Sequence, residues 1–205
     1  MLKIGLTGGI GSGKTAVSNL FEKMGIHIID TDIISRQLLI NDQNVVQSII
    51  TDFGKSIVNE NNTINRSALA NIVFNDATKK KRLEAILHPK IRDEVNSQTI
   101  NINKTIKPNN YIIIVIPLLF ETNFNELIDH ILVVTASESI RIKRVKTRDN
   151  RTTKEIQSII NTQVIDEIRC TQANDVIENN NGFEQLESKV MQLHNQYLKL
   201  ANTHY

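Results

Sequence analysis

The chain has 205 residues, with 24 basic against 22 acidic side chains for a formal charge of +2, 40% hydrophobic and 22% charged positions, and one cysteine. That length suits one full α/β core with a small appended unit, and the near-neutral balance, 4% aromatic content and lack of Trp give a nucleic-acid surface little to use. Cys170 alone excludes an intrachain disulfide or a cysteine-based metal cluster. It points instead to a reducing compartment. No apolar run approaches the roughly 20 residues of a membrane span, and MLKIGLTGG leaves no room for a signal peptide before the first strand, so a cytoplasmic protein is expected.

Residues 2–7, LKIGLT, are apolar and β-prone. GGIGSGKT at 8–15 then satisfies G-x-x-x-x-G-K-[ST], and AVSNLFEKM continues as a helix. Each residue type has a job in that pattern. Glycines let backbone N–H groups wrap a phosphate chain with no Cβ in the way. Lys14 brings a positive charge to the β- and γ-phosphates, and the Thr15 hydroxyl can ligate Mg²⁺. The helix adds the partial positive charge of its N-terminus. Gly8, Gly9, Ile10, Gly11, Ser12, Gly13, Lys14, Thr15 and Ala16 are therefore expected to hold a nucleoside triphosphate.

Val17, Leu20, Phe21 and Met24 make one buried stripe on a helix from Lys14 to Met24, and Gly25 fits as its stop. IHIID, 26–30, reads as a second strand, bringing Asp30 and Asp32 to the carboxyl end of a parallel sheet, where ligands bind. The alternative for either acid is N-capping a helix that starts near Ile33. Residues 33–95 read as helical and polar-rich, with strand signal only at Ile57–Val58. The stripes Leu69, Ile72, Val73 and Leu83, Ile86, Leu87 suggest a helical substrate subdomain inserted between strands. Lys79–Arg82 reads as a solvated face. His88-Pro89 is expected to bend or end one helix, and 99–110 to be a polar connection.

YIIIVIPLLFE, 111–121, is the most apolar run, a strand buried on both faces that Pro117 ends. It carries no Asp for a Mg²⁺ shell, which leaves Asp32 as the candidate metal ligand beside Thr15. HILVVTA, 130–136, is another buried strand. Residues 141–154 hold seven basic side chains and one acid, with Arg141, Arg144, Arg148 and Arg151 on one helical face. That face is either a solvated helix or an arginine-bearing lid over a transferring phosphoryl group; without interleaved aromatics an RNA surface is the weaker reading. A second helix over 153–170, a short strand at 175–179 and a closing helix over 183–200 complete the chain.

Neither N-K-x-D nor a D-x-x-G switch is present, which argues against a GTPase, and a mechanical ATPase would need a longer chain and a carboxylate ending the central strand. A small-molecule kinase accounts for the inserted subdomain, the acid and the arginines together. Asp32 would orient the acceptor hydroxyl and take its proton, with Lys14, Mg²⁺ and Arg148 around the γ-phosphate. A non-catalytic nucleotide sensor or RNA-binding module is the competing class.

The chain resembles the dephospho-CoA kinases over nearly all its length, through LTGGIGSGKT (6–15), IIDTD (28–32), LEAILHPKIR (83–92), IPLLFE (116–121), RVKTRD (144–149), Gln163 and ANDVIENNNG (173–182). The resemblance implies an α/β fold of the P-loop NTPase, nucleoside-monophosphate-kinase-like type. Its three layers carry a central parallel β-sheet, a helical substrate subdomain and an arginine-bearing lid. The implied parts are a nucleotide-binding core (roughly 1–32, 110–140 and 170–205), a CoA-binding insertion (33–109) and a lid (141–169). It implies transfer of the ATP γ-phosphate to the 3′-hydroxyl of dephospho-CoA, the last step of coenzyme A synthesis. Asp32 would be the base, Arg148 would meet the phosphates, and Asp30, Arg66, His88, Arg92, Leu118, Leu119, Glu121 and Arg144 would contact substrate. ATP, Mg²⁺ and dephospho-CoA are the expected ligands, with no nucleic acid or membrane partner and a monomer favoured. The chain departs from the family pattern at Asn174, where the acid comes one place later, in the extra Asn of ENNNG, and in lacking an Arg near Gln163. These departures fall on the adenine side.

Overall fold

In the computed structural model, which describes residues 1–105, 111–122 and 124–203, five parallel strands stand in the order β2-β3-β1-β4-β5. They are β1 (Leu2–Thr7), β2 (Ile28–Asp30), β3 (Tyr111–Val115), β4 (His130–Thr135) and β5 (Asp175–Glu178). β1 pairs with β3 from Leu2↔Tyr111 to Leu6↔Val115 and with β4 from Ile4↔His130 to Thr7↔Val133. The apolar run of β3 lies between β2 and β1 and is buried throughout, as a strand covered on both faces must be.

On one face, Leu2, Ile4, Leu6, Ile113 and Val115 pack with Val17, Leu20 and Phe21 of α1 (Lys14–Lys23) and with Leu186, Val190 and Tyr197 of α9 (Phe183–Thr203). The Phe21 ring meets Tyr111 edge-on and Tyr197 stacked, both at 6.2 Å between centroids. Each such side chain contributes about 1.5–3 kcal/mol by leaving water. The alternate strand residues Ile112, Ile114 and Val133 are fully buried on the opposite face.

The chain divides into two compact units, Met1–Asp30 with Thr99–Tyr205, and Thr31–Gln98. The second holds α2 (Thr31–Asn41), α3 (Gln43–Phe53), α4 (Arg66–Asn75) and most of α5 (Ala77–Thr105), with a single antiparallel bridge, Val58↔Ile64, where the sequence showed its only strand signal. Asp42 and Asn65 cap α3 and α4 through their side-chain oxygens. The first unit also holds α6 (Glu138–Asp149), α7 (Thr153–Asn161) and α8 (Asp166–Gln172).

Several boundaries differ from the sequence reading. β2 spans Ile28–Asp30 rather than 26–30, and α2 starts at Thr31 rather than Ile33. α5 runs through Pro89 and on through 99–105, where a connection was expected; 106–110, including Pro108, lie outside the described residues. Proline in a helix costs about 3 kcal/mol, and burial of Leu87, Ile91 and Val95 on the same helix offsets that cost. α6 ends at Asp149 because Asn150 turns left-handed (φ 53°), a conformation Asn tolerates, so Arg151 leaves the arginine face. The helix expected over 153–170 is two, α7 and α8, with Ile165 extended before Asp166.

Candidate active site

The carboxyl end of β1 feeds directly into the loop that precedes α1. Gly8, Gly11 and Gly13 all have positive φ there (150°, 75° and 105°). Gly13 shows why glycine is needed: it is left-handed at the mouth of α1, and a Cβ on it would collide with the Asn179 amide. The Lys14 ammonium folds back over the loop and donates to the Gly8 carbonyl at 2.7 Å and the Gly9 carbonyl at 3.1 Å. Ser12 Oγ is fully buried in the loop and has no hydrogen-bond partner among the described residues. Thr15, in the first turn of α1, is exposed. A run of glycine-rich backbone with one cation folded over it and a helix N-terminus behind it has the chemistry to hold phosphate.

Elements far along the chain hold the loop. The Asn179 side chain, just past β5, donates to the Ser12 carbonyl at 2.9 Å. Arg144 of α6 donates to the same carbonyl at 3.3 Å and to the Asn179 carbonyl at 3.0 Å. Gln163 accepts from the Ile10 N–H at 2.9 Å, and Arg141 Nε donates to the Ile10 carbonyl at 2.9 Å. Arg169 of α8 is 1% exposed and bonds Asp166 and Glu121. Next to this set, Arg141, Gln163, Asp166, Glu178 and Asn180 help to line a cleft of about 650 Å³.

The sequence-predicted residues divide between the two units. In the first, Arg144 reaches the loop. Arg148 keeps a side chain 63% exposed and grips Asp149 at 2.6 and 2.7 Å; that bond raises the Arg148 pKa and lowers that of Asp149. Leu119 is buried, Leu118 precedes the short 3₁₀ turn Leu119–Glu121, and the Glu121 carboxylate accepts from the Val164 N–H at 3.0 Å. Asp30 ends β2, one strand removed from β1. In the second unit, Asp32 lies in the first turn of α2 and Arg66 opens α4. His88 and Arg92 are one turn apart on α5. Burial holds the His88 imidazole below its ordinary pKa against the pull of Glu84, with Arg92 adding to the depression.

Arg169, Asp166 and Asn179 escaped the sequence reading as site residues. Asn179 belongs to the quoted ENNNG stretch and was within reach of notice. Asp166 and Arg169 sit in a short polar helix with no spacing signal, and only the fold brings them to the loop.

A family model described as dephospho-CoA kinase matches residues 2–185. A dephospho-CoA kinase of Photobacterium profundum is 39% identical over 199 residues, covering 97% of each chain. One from Coxiella burnetii is 40% identical over 204 residues, 99% of this chain and 100% of the relative. A crystal structure from Thermus thermophilus superposes with a TM-score of 0.80 at 28% identity, covering 95% of this chain and 97% of that one.

Proposed function

The chain belongs to the dephospho-CoA kinase family, and from that premise we propose how its own residues carry the reaction. The enzyme uses ATP to phosphorylate the 3′-hydroxyl of the ribose of dephospho-CoA, giving coenzyme A and ADP in the last step of coenzyme A synthesis. The observation that carries the reading is the loop Gly8–Ala16, with its positive-φ glycines, the Lys14 ammonium over it and the orphaned Ser12 hydroxyl inside it.

Backbone N–H groups of this loop and the α1 N-terminus bind the β-phosphate, and Lys14 leaves the Gly8 and Gly9 carbonyls to neutralise charge that builds on the β- and γ-oxygens. Thr15, exposed at the start of α1, and Asp32 are suited as oxygen ligands to hold Mg²⁺. When bound, the ion supplies further positive charge at the phosphates. Asp32 orients the acceptor hydroxyl and takes its proton as the bond to the γ-phosphorus forms. Arg148 meets the transferring group. Its exposed pair with Asp149 is worth about 0–1 kcal/mol, so the guanidinium leaves it cheaply. Arg144 braces the loop from α6. Arg66, His88 and Arg92 supply contacts for the anionic acceptor, and Asp30, Leu118, Leu119 and Glu121 complete the substrate-contacting set. Two cations in that set suit a substrate whose pyrophosphate carries negative charge. Work as a monomer in the cytoplasm is part of this proposal; Cys170 is a free thiol, and among the described residues no helix is long and apolar enough to cross a membrane.

The test is a mass-spectrometric endpoint assay with ATP, Mg²⁺ and dephospho-CoA, run beside Asp32→Asn. CoA and ADP appear with the unaltered protein, and turnover of the variant falls at least a hundredfold while ATP affinity holds. An unchanged rate moves the base role to Asp30 or Glu121, and ADP without CoA means another hydroxyl acceptor.

A further inference from the structure

We propose that Asp166 is a positioning residue for ATP: it fixes two buried arginines against the Gly9–Ile10 segment and so presets the phosphate loop for nucleotide. The inference rests on the reading of Gly8–Ala16 as the ATP phosphate site.

Asp166 Oδ2 accepts from Arg141 Nη1 at 2.9 Å and from the Thr135 hydroxyl at 2.8 Å, and its Oδ1 accepts from Arg169 Nη1 at 2.6 Å. Thr135 is the last residue of β4, so the carboxylate ties both guanidinium groups to the sheet. Arg141 in turn donates from Nε to the Ile10 carbonyl, while Gln163 takes the N–H of the same residue. A Cβ on Gly9 would run into the Arg141 guanidinium and touch that of Arg169, which shows how closely both lie on the loop. Ile10 is thus held at both its backbone N–H and its carbonyl by residues more than 130 positions later.

Stability does not explain this cluster. Arg141 and Arg169 are 5% and 1% exposed, and taking two cations out of water consumes most of what their pairing with Asp166 and Glu121 returns. Arg169 Nε is buried with no partner among the described residues, a further cost. What the cluster does achieve is orientation. The Ile10 carbonyl held on Arg141 cannot swing toward a phosphate oxygen, where two negative ends would repel. A loop already set in its binding shape spends less of the binding energy on ordering.

The test is calorimetric titration of ATP into the unaltered protein, Asp166→Asn, Arg141→Gln and the double variant, with steady-state kinetics and melting temperatures alongside. Asp166→Asn is expected to weaken ATP about tenfold (about 1.4 kcal/mol), with the KM for dephospho-CoA within about twofold of its original value. The loss in the double variant should be smaller than the sum of the two single losses, because the carboxylate acts in part through Arg141. A lower melting temperature with unchanged ATP affinity, or fully additive losses, overturns the proposal. If Asp166→Asn does not fold, Asp166→Glu keeps the charge and shifts it by one methylene; weaker ATP binding then supports the proposal and unchanged binding overturns it. Unaltered protein that binds no ATP would instead refute the phosphate-loop reading itself.

Discussion

The two ends of the sheet are built to opposite rules. At the amino ends of the strands, Tyr111, His130 and Asp175 open β3, β4 and β5, and α9 brings Tyr197 and His194 to them. His130 Nε2 lies 2.7 Å from Asp175 Oδ2, Tyr197 donates its hydroxyl to the same oxygen at 3.0 Å, and Tyr111 pairs with His194 at 2.6 Å. The rings interlock, Tyr197 standing 5.4 Å from both Tyr111 and His130. Burial, helped by Asp175, drives the Tyr197 phenol far above its ordinary pKa, so it stays a neutral donor. At the carboxyl ends the pairing is incomplete. Among the described residues, Ser12 Oγ and Arg169 Nε are buried without partners, and none of Tyr111, His130, Asp175 or Tyr197 shares that condition. One end spends its polar groups on each other and gains rigidity. The other leaves two donors unpaired near the glycine-rich loop, at the strand ends where parallel sheets place their ligands.

That contrast can be broken by substitution, starting where the effect is greatest. Lys14→Ala should lower kcat/KM on the order of a thousandfold with a melting temperature close to that of the unaltered protein, checked by coupled ADP assay and thermal denaturation. Activity within tenfold of the original would mean the carboxyl end is not a phosphate site. Gly9→Ala forces a methyl group onto Arg141 and Arg169. Overpacking of this kind costs about 1–3 kcal/mol, and here ATP affinity should fall along with stability because the strained segment is the loop. If calorimetry finds stability lost and ATP affinity intact, the arginines are only ballast. Tyr197→Phe removes one hydroxyl from the amino end and should cost about 1 kcal/mol, roughly 2–4 °C in melting temperature, with both KM values unmoved. A shifted KM would show that the two ends are coupled.

The glycine-rich loop was legible residue by residue because its geometry is local: positive-φ glycines and a helix start fall within one short run of chain. The buried strands were legible for the same reason, since an unbroken apolar run such as 111–116 has few other fates. Pro89 does not end its helix, because the local cost of proline is offset by burial of the residues around it. The arginine face at 141–151 was right in periodicity and wrong in extent, because the left-handed turn at Asn150 ended the helix before Arg151. Sequence also could not rank those arginines. Arg141, which seemed one of a row, is buried against Ile10, while Arg148 stands in solvent with Asp149.

By itself the sequence determined the reaction type and the parallel α/β core, since each is written in contiguous residues with a fixed spacing. The tertiary structure alone decided which distant side chains hold that loop in shape. Ile10 meets Gln163, Arg141 meets Asp166, and Ser12 meets Asn179 only after the strands have paired. Those contacts join residues 25 to 167 positions apart. No local pattern encodes such pairs, because their partners are selected by packing rather than by neighbours in the chain.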